Sequence, residues 1–145
     1  MIALIQRVTH AEVVVDGTTT GKIEKGILAL IGVQKSDSSA SAKRLCERIC
    51  GYRIFPDSED KMNLSLKDIN GGLLLVPQFT LAANTKKGTR ASFASAAPPD
   101  MGNQLFNEFC DHCRGTMGNI QTGIFGADMK VSLLNDGPVT FWLES

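Results

Sequence analysis

The order of predicted elements gives an α/β fold, a mixed β-sheet covered by two main helices. Three observations carry this expectation. Short runs rich in Val and Ile open and close the chain, and two stretches repeat apolar residues at helical spacing. Between them, Ile27 to Val33 is a continuous apolar run of strand length, as a strand buried on both faces requires. The 145 residues make one domain, 1–145, of ordinary size.

Ile2 to Val8 and Glu12 to Val15 read as two short strands, and Asp16-Gly17 as a turn. Ser36 to Ser41 offers several helix N-caps. Ala42, Leu45, Cys46, Ile49 and Cys50 then form one helical stripe, which Gly51 ends. Tyr52 to Phe55 is extended and stops at Pro56-Asp57. Asn70-Gly71-Gly72 turns the chain into a strand from Leu73 to Val76. Residues 82–99 lack a period and read as a long loop. The second helix starts near Asp100, presents Leu105, Phe106, Phe109, Cys110 and Cys113 on one face, and ends at Gly115. Strands at Ile120 to Phe125, Met129 to Leu134 and Val139 to Leu143 complete the order.

Composition excludes several classes of protein. Hydrophobic residues at 43% and charged residues at 21% are globular values, outside the range of disordered chains. No run of 18 apolar residues is present, so no transmembrane helix and no membrane partner is expected. Met1 to Arg7 has no basic stretch ahead of an apolar one and reads as a first strand rather than a signal peptide. Lys plus Arg equals Asp plus Glu at 15 each, so a polyanionic partner would need a local basic patch. The four cysteines are then reduced thiols in a cytoplasmic protein.

Cys110-Asp111-His112-Cys113, with Cys46 and Cys50, has the residue types of a zinc site. All four thiols, however, lie on the apolar stripes of two helices, where cysteine behaves as a small hydrophobe. The expectation is therefore no metal and no cofactor. His10 and His112 are the only histidines, and no Gly-x-Ser-x-Gly, P-loop or dinucleotide fingerprint occurs, which argues against a conventional triad.

Two segments remain. Pro77-Gln78-Phe79-Thr80-Leu81 closes a buried strand, a usual place for a site, yet Gln78 and Thr80 also fit simple alternation toward solvent. Asn135-Asp136-Gly137-Pro138-Val139-Thr140 holds an Asp-Gly that is ordinarily a hairpin turn, with a proline able to open an edge strand. Pattern alone leaves both readings open for each.

With these segments in view, the chain resembles the bacterial D-aminoacyl-tRNA deacylase family from end to end. The resemblance is carried by Met1 to Val8, Gly51-Tyr52-Arg53-Ile54-Phe55, Lys61-Met62-Asn63-Leu64, Gln78-Phe79-Thr80-Leu81-Ala82-Ala83, Ala127-Asp128-Met129 and, most specifically, Asn135 to Leu143. It implies a homodimer with a three-layer α/β/β fold, and hydrolysis of the ester in D-aminoacyl-tRNA as translation quality control. It also implies that Gln78, Phe79 and Thr80 line the pocket for the aminoacyl-adenosine end of the tRNA. Gly137-Pro138 would be joined by a cis bond and project into the partner's active site, with Arg7 holding that element. The family usually has Ser where this chain has Pro77, which supplies neither a hydroxyl nor an N–H.

No base is evident beside Thr80, so the expected chemistry is water attack on a carbonyl held by backbone N–H groups around Phe79 and Thr80, assisted by the ribose 2′-hydroxyl. Gly137-Pro138 would exclude an L side chain by a clash, which glycine escapes, so Gly-tRNA is an expected substrate. Lys86, Lys87 and Arg90 cluster in the following loop and are candidates for tRNA phosphates; a merely solvated loop is the alternative. Two competing functions are a general small-ester hydrolase and a non-catalytic dimeric RNA-binding module. Zero net charge and the lack of an aromatic cluster weigh against the module.

Overall fold

A computed structural model describes all residues, Met1 to Ser145. Its centre is one long strand, β1 (Ile2–Val15), rather than the two short ones expected. The polar pair Thr9-His10 is an exposed stretch of this continuous strand. β1 returns through Asp16 and Gly17, both at positive φ (49° and 77°), into β2 (Thr18–Ile23). That two-residue reversal has the handedness that suits a twisted antiparallel pair.

β3 (Gly26–Gly32) lies antiparallel beside β1 and parallel to β6 (Gly72–Pro77), and β6 is parallel to β7 (Ile120–Thr122). Parallel neighbours need crossover connections. The helices supply them: α1 (Ser39–Gly51) lies between β3 and β6, and α3 (Pro99–Thr116) between β6 and β7. A two-stranded ribbon, β4 (Phe55–Pro56) with β5 (Met62–Leu64), and the one-turn helix α2 (Leu66–Ile69) fill the first crossover. β8 (Lys130–Glu144) pairs with β1 along nearly its whole length. The sheet is therefore mixed, with the order β2-β1-β3-β6-β7 and β8 on β1.

Alternate residues of the buried strands serve two apolar clusters. Ile27, Ala29, Ile31, Leu73 and Leu75 pack with the inner faces of α1 and α3. Leu28, Leu74 and Val76 pack instead with Val8, Ala11, Val13 and Ile23. This double-sided burial is why Ile27 to Val33 and Leu73 to Val76 carry no polar alternation.

Both helices follow their sequence stripes. Ala42, Leu45, Cys46, Ile49 and Cys50 are buried in α1, and Leu105, Phe106, Phe109, Cys110 and Cys113 in α3. α1 begins after Ser38, whose N–H donates to Ser41 Oγ (3.2 Å). α3 begins at Pro99, a residue suited to a first helical position because its missing N–H would be unpaired there.

The C-terminal strands differ from expectation. The strand expected at Ile120 to Phe125 stops at Thr122, where pairing with Leu75 ends. The strands expected at Met129 to Leu134 and Val139 to Leu143 are one, and Asp136-Gly137 is not a hairpin turn. Gln6 pairs with Thr140 and Val8 with Asn135, so residues 136–139 bulge out of the strand opposite Arg7 alone. A sequence motif that reverses the chain between two adjacent strands here makes a wide bulge within one, because β1 offers both halves a common partner.

Candidate active site

Pro77 ends β6, since it has no N–H to continue the ladder. Gln78 follows, and its N–H donates to the Ile31 carbonyl (2.7 Å), tying the turn to the end of β3. Phe79–Ala82 then form a single 3-10 turn, with the Leu81 N–H bonded to the Gln78 carbonyl (3.2 Å). As its first two residues, Phe79 and Thr80 have no acceptor within the turn for their own N–H groups. Two adjacent backbone donors are thus left at the carboxyl end of a parallel strand, the end at which open α/β sheets place their sites.

The side chains of this turn are polar but not activated. Gln78 Nε2 donates to Thr80 Oγ1 (2.6 Å), so the hydroxyl hydrogen remains free to point toward a bound molecule. No histidine, lysine or carboxylate hydrogen-bonds Thr80. Phe79 is 59% exposed and packs against Phe93, itself 45% exposed, with ring centroids 5.1 Å apart. An apolar cavity of 260 Å³ lined by Pro77, Phe79, Ala97, Pro99, Phe125 and Gly126 lies against this turn. A second of 230 Å³ runs from Gln78 and Phe79 toward Asp128 and Met129. A larger groove of 510 Å³, around Lys22, Lys25, Asn70 and Asn119, sits at the amino ends of the same strands, away from the free donors.

The Asn135–Val139 bulge is built as a clamp. The Asn135 side chain donates to the Val139 carbonyl (3.0 Å) and accepts from the Val139 N–H (3.0 Å), closing the loop on itself. Arg7 Nε donates to the Asp136 carbonyl (3.0 Å), and Arg7 Nη1 to the carbonyl of Ile54 (2.8 Å). Its guanidinium also lies 3.5 Å from the Asp136 carboxylate. The Gly137-Pro138 bond is cis, and Gly137 has φ +137°. Both residues are exposed. The clamp explains an expected outcome for Arg7→Lys: the charge stays, but one ammonium cannot hold two diverging carbonyls. Loss of one such bond costs about 1 kcal/mol, read as a melting temperature lower by about 2–8 °C. An unchanged melting curve would show that the clamp does not need the guanidinium fork.

Within one chain the two segments do not meet. Arg7, beneath the bulge, pairs with Ile27, whereas Pro77 pairs with Ile31. Four residues along β3 separate those rows, roughly 13 Å at about 3.3 Å per residue. Lys86, Lys87 and Arg90 are exposed, follow the Gln78–Thr80 turn, and form no ion pair. His10 and His112 are both exposed and lie outside the site. Sequence reasoning missed Phe93 and gave no aromatic cluster at all, because one phenylalanine in an aperiodic loop carries no signal of what it packs on. It also missed Asn135 as the clamp, reading it as part of a turn.

An α/β domain that offers free backbone donors and an unactivated hydroxyl beside an apolar cavity has the parts with which an oxyanion can be received without a side-chain triad. Comparison with known proteins is more specific. The family described as D-Tyr-tRNA(Tyr) deacylase matches residues 4–144. A D-aminoacyl-tRNA deacylase of Teredinibacter turnerae is 60% identical over 145 residues, covering 100% of both chains. One of Escherichia coli O1:K1 is 56% identical over 144 residues and 99% of each chain. The solved structure of a c-Myc DNA Unwinding Element Binding Protein superposes with a TM-score of 0.95 at 36% identity, covering 100% of this chain and 99% of that one. A probable eukaryotic D-amino acid tRNA deacylase, 17% identical with a TM-score of 0.86, shares the fold. The chain belongs to the D-Tyr-tRNA(Tyr) deacylase family and is an enzyme, a hydrolase acting on aminoacyl-tRNA.

Proposed function

We propose that the protein removes D-amino acids, and glycine, from tRNA in the cytosol as a step of translation quality control, and spares L-aminoacyl-tRNA. The reading rests on one observation: an exposed donor turn and an exposed Gly137-Pro138 bulge lie too far apart in one chain for both to touch the same aminoacyl group. A second copy supplies what one chain lacks, so the working unit is a homodimer in which each bulge completes the other's pocket, each chain being a three-layer α/β/β arrangement. The aminoacyl carbonyl oxygen accepts from the N–H groups of Phe79 and Thr80. Water adds to the carbonyl carbon, the ester C–O bond breaks, and the ribose oxygen leaves with the proton, the neighbouring 2′-hydroxyl assisting. The Phe79–Phe93 pair offers a π-face to the terminal base.

The chiral test follows from geometry at Cα. D and L residues exchange hydrogen and side chain, so backbone placed where the L side chain would stand rejects L, accepts D, and cannot reject glycine. Purified protein incubated in parallel with D-Tyr-tRNA, Gly-tRNA and L-Tyr-tRNA should release free amino acid from the first two only. Equal release from the D and L substrates would sink the reading, and release from a D-tyrosine alkyl ester at a comparable kcat/KM would favour a general esterase.

Lys86 and Lys87 are the expected phosphate contacts, standing unpaired beside the turn in a chain without net charge. The double change to Gln should weaken tRNA binding and flatten the plot of log K against log salt by about 0.7–0.9 per lost contact. A slope equal to that of the unaltered protein would mean that this loop is only solvated.

A further inference from the structure

The three sulfurs of Cys46, Cys50 and Cys113 lie within 4.8 Å of one another, and all three residues are buried. Cys46 and Cys50 are one helical turn apart on α1, and Cys113 faces them from α3. The fourth cysteine, Cys110, is buried one turn earlier on α3 and is not part of the group. Zinc was weighed above as a four-thiol site on Cys46, Cys50, Cys110 and Cys113; the fold brings together three of those four.

We infer that Cys46, Cys50 and Cys113 form a trigonal sulfur site for a thiophilic monovalent cation, Cu(I), that clips α1 to α3. Three sulfurs around an ion at about 2.3 Å stand roughly 4 Å apart. The observed spacing reaches that with small side-chain rotations. The number of donors decides the metal. Structural zinc takes four ligands, whereas soft thiolates select Cu(I). The only other polar partner is Thr116 Oγ1, 3.8 Å from Cys46 Sγ, and its hydrogen is already given to the His112 carbonyl. Leu45, Ile49 and Phe109 belong to the same apolar core cluster as the three cysteines.

Cu(I) would bind the three sulfurs together, with the thiol protons released to solvent as they become ligands. No electron is transferred, because copper enters and stays as Cu(I).

The test is anaerobic titration of the reduced, full-length protein with Cu(I) against a bathocuproine-type competitor. One Cu(I) per chain and a raised melting temperature are expected, with three sulfur neighbours in the copper X-ray absorption spectrum. Cys110→Ala should bind equally, Cys113→Ala should lose the site, and Zn(II) should not bind stoichiometrically. The inference is overturned by no copper uptake, by two sulfur neighbours or by nitrogen and oxygen ligation, or by undiminished binding in Cys113→Ala. If that variant does not fold, the absorption spectrum of the unaltered protein decides alone.

Discussion

Replacing Gly137 by alanine is expected to lower hydrolysis of D-Tyr-tRNA by about 10²-fold while leaving the chain folded, because a misplacement of about 1 Å near the reacting centre has that cost. The glycine sits at φ +137°, where an L side chain is strained by about 1–3 kcal/mol. Its new Cβ would lie 2.7 Å from Val139 Cγ2, 3.0 Å from Val139 N and 3.1 Å from Arg7 Nη2. None of these neighbours moves freely. Val139 N is bonded to the Asn135 side chain, and the Arg7 guanidinium is held by the carbonyls of Asp136 and Ile54. The bulge itself must shift. Pairing of β8 with β1 continues on both sides of it, from Lys130 to Asn135 and from Thr140 to Glu144, so the fold has no reason to fail. Single-turnover rates beside melting curves check this. The relative rate on L-Tyr-tRNA should also rise, since the displaced backbone no longer fills the rejected side chain's space. An unchanged D-Tyr-tRNA rate would remove Gly137 from the site.

Much of this fold was legible because burial leaves a period. The α1 and α3 stripes gave both helices their inward faces, and the unbroken runs of β3 and β6 announced strands covered on both sides. What was not legible depended on partners distant in sequence. Nothing local says that Asp136-Gly137 will bulge instead of reversing, because the decision belongs to β1, more than a hundred residues earlier, which pairs with both flanks. The extended run expected at Tyr52 to Phe55 meets β4 only at Phe55, and α2 and β5 escaped for a different reason: elements of three or four residues are too brief to show a period. Of the site, the donor turn could be expected from a proline ending a buried strand, but the Phe79–Phe93 contact and the Asn135 clamp could not. The cysteines show the same limit. Each helix stripe places its own thiols, yet only the crossing of α1 with α3 selects three of the four.

Thr80→Ala is expected to slow D-Tyr-tRNA hydrolysis by about 10²–10³-fold without abolishing it, the usual cost of losing one polarising contact to a developing oxyanion. Removing a true nucleophile would cost about 10⁶. The choice between these magnitudes follows from what surrounds the hydroxyl. Its one hydrogen-bond partner is the Gln78 amide, which donates to it at 2.6 Å. A donor pointing at an oxygen lowers its nucleophilicity, whereas activation needs a base that takes its proton. The backbone N–H groups of residues 79 and 80 both survive the substitution, so the donor pair remains whole and residual activity is required. The loss should fall on kcat more than on KM, because the carbonyl oxygen gains its negative charge only as the reaction proceeds. Thr80→Ser, which keeps the hydroxyl, should recover most of the rate. Capture of an aminoacyl ester on Thr80 by mass spectrometry, or a loss approaching that of a deleted nucleophile, would show that the hydroxyl attacks and that water enters only afterwards.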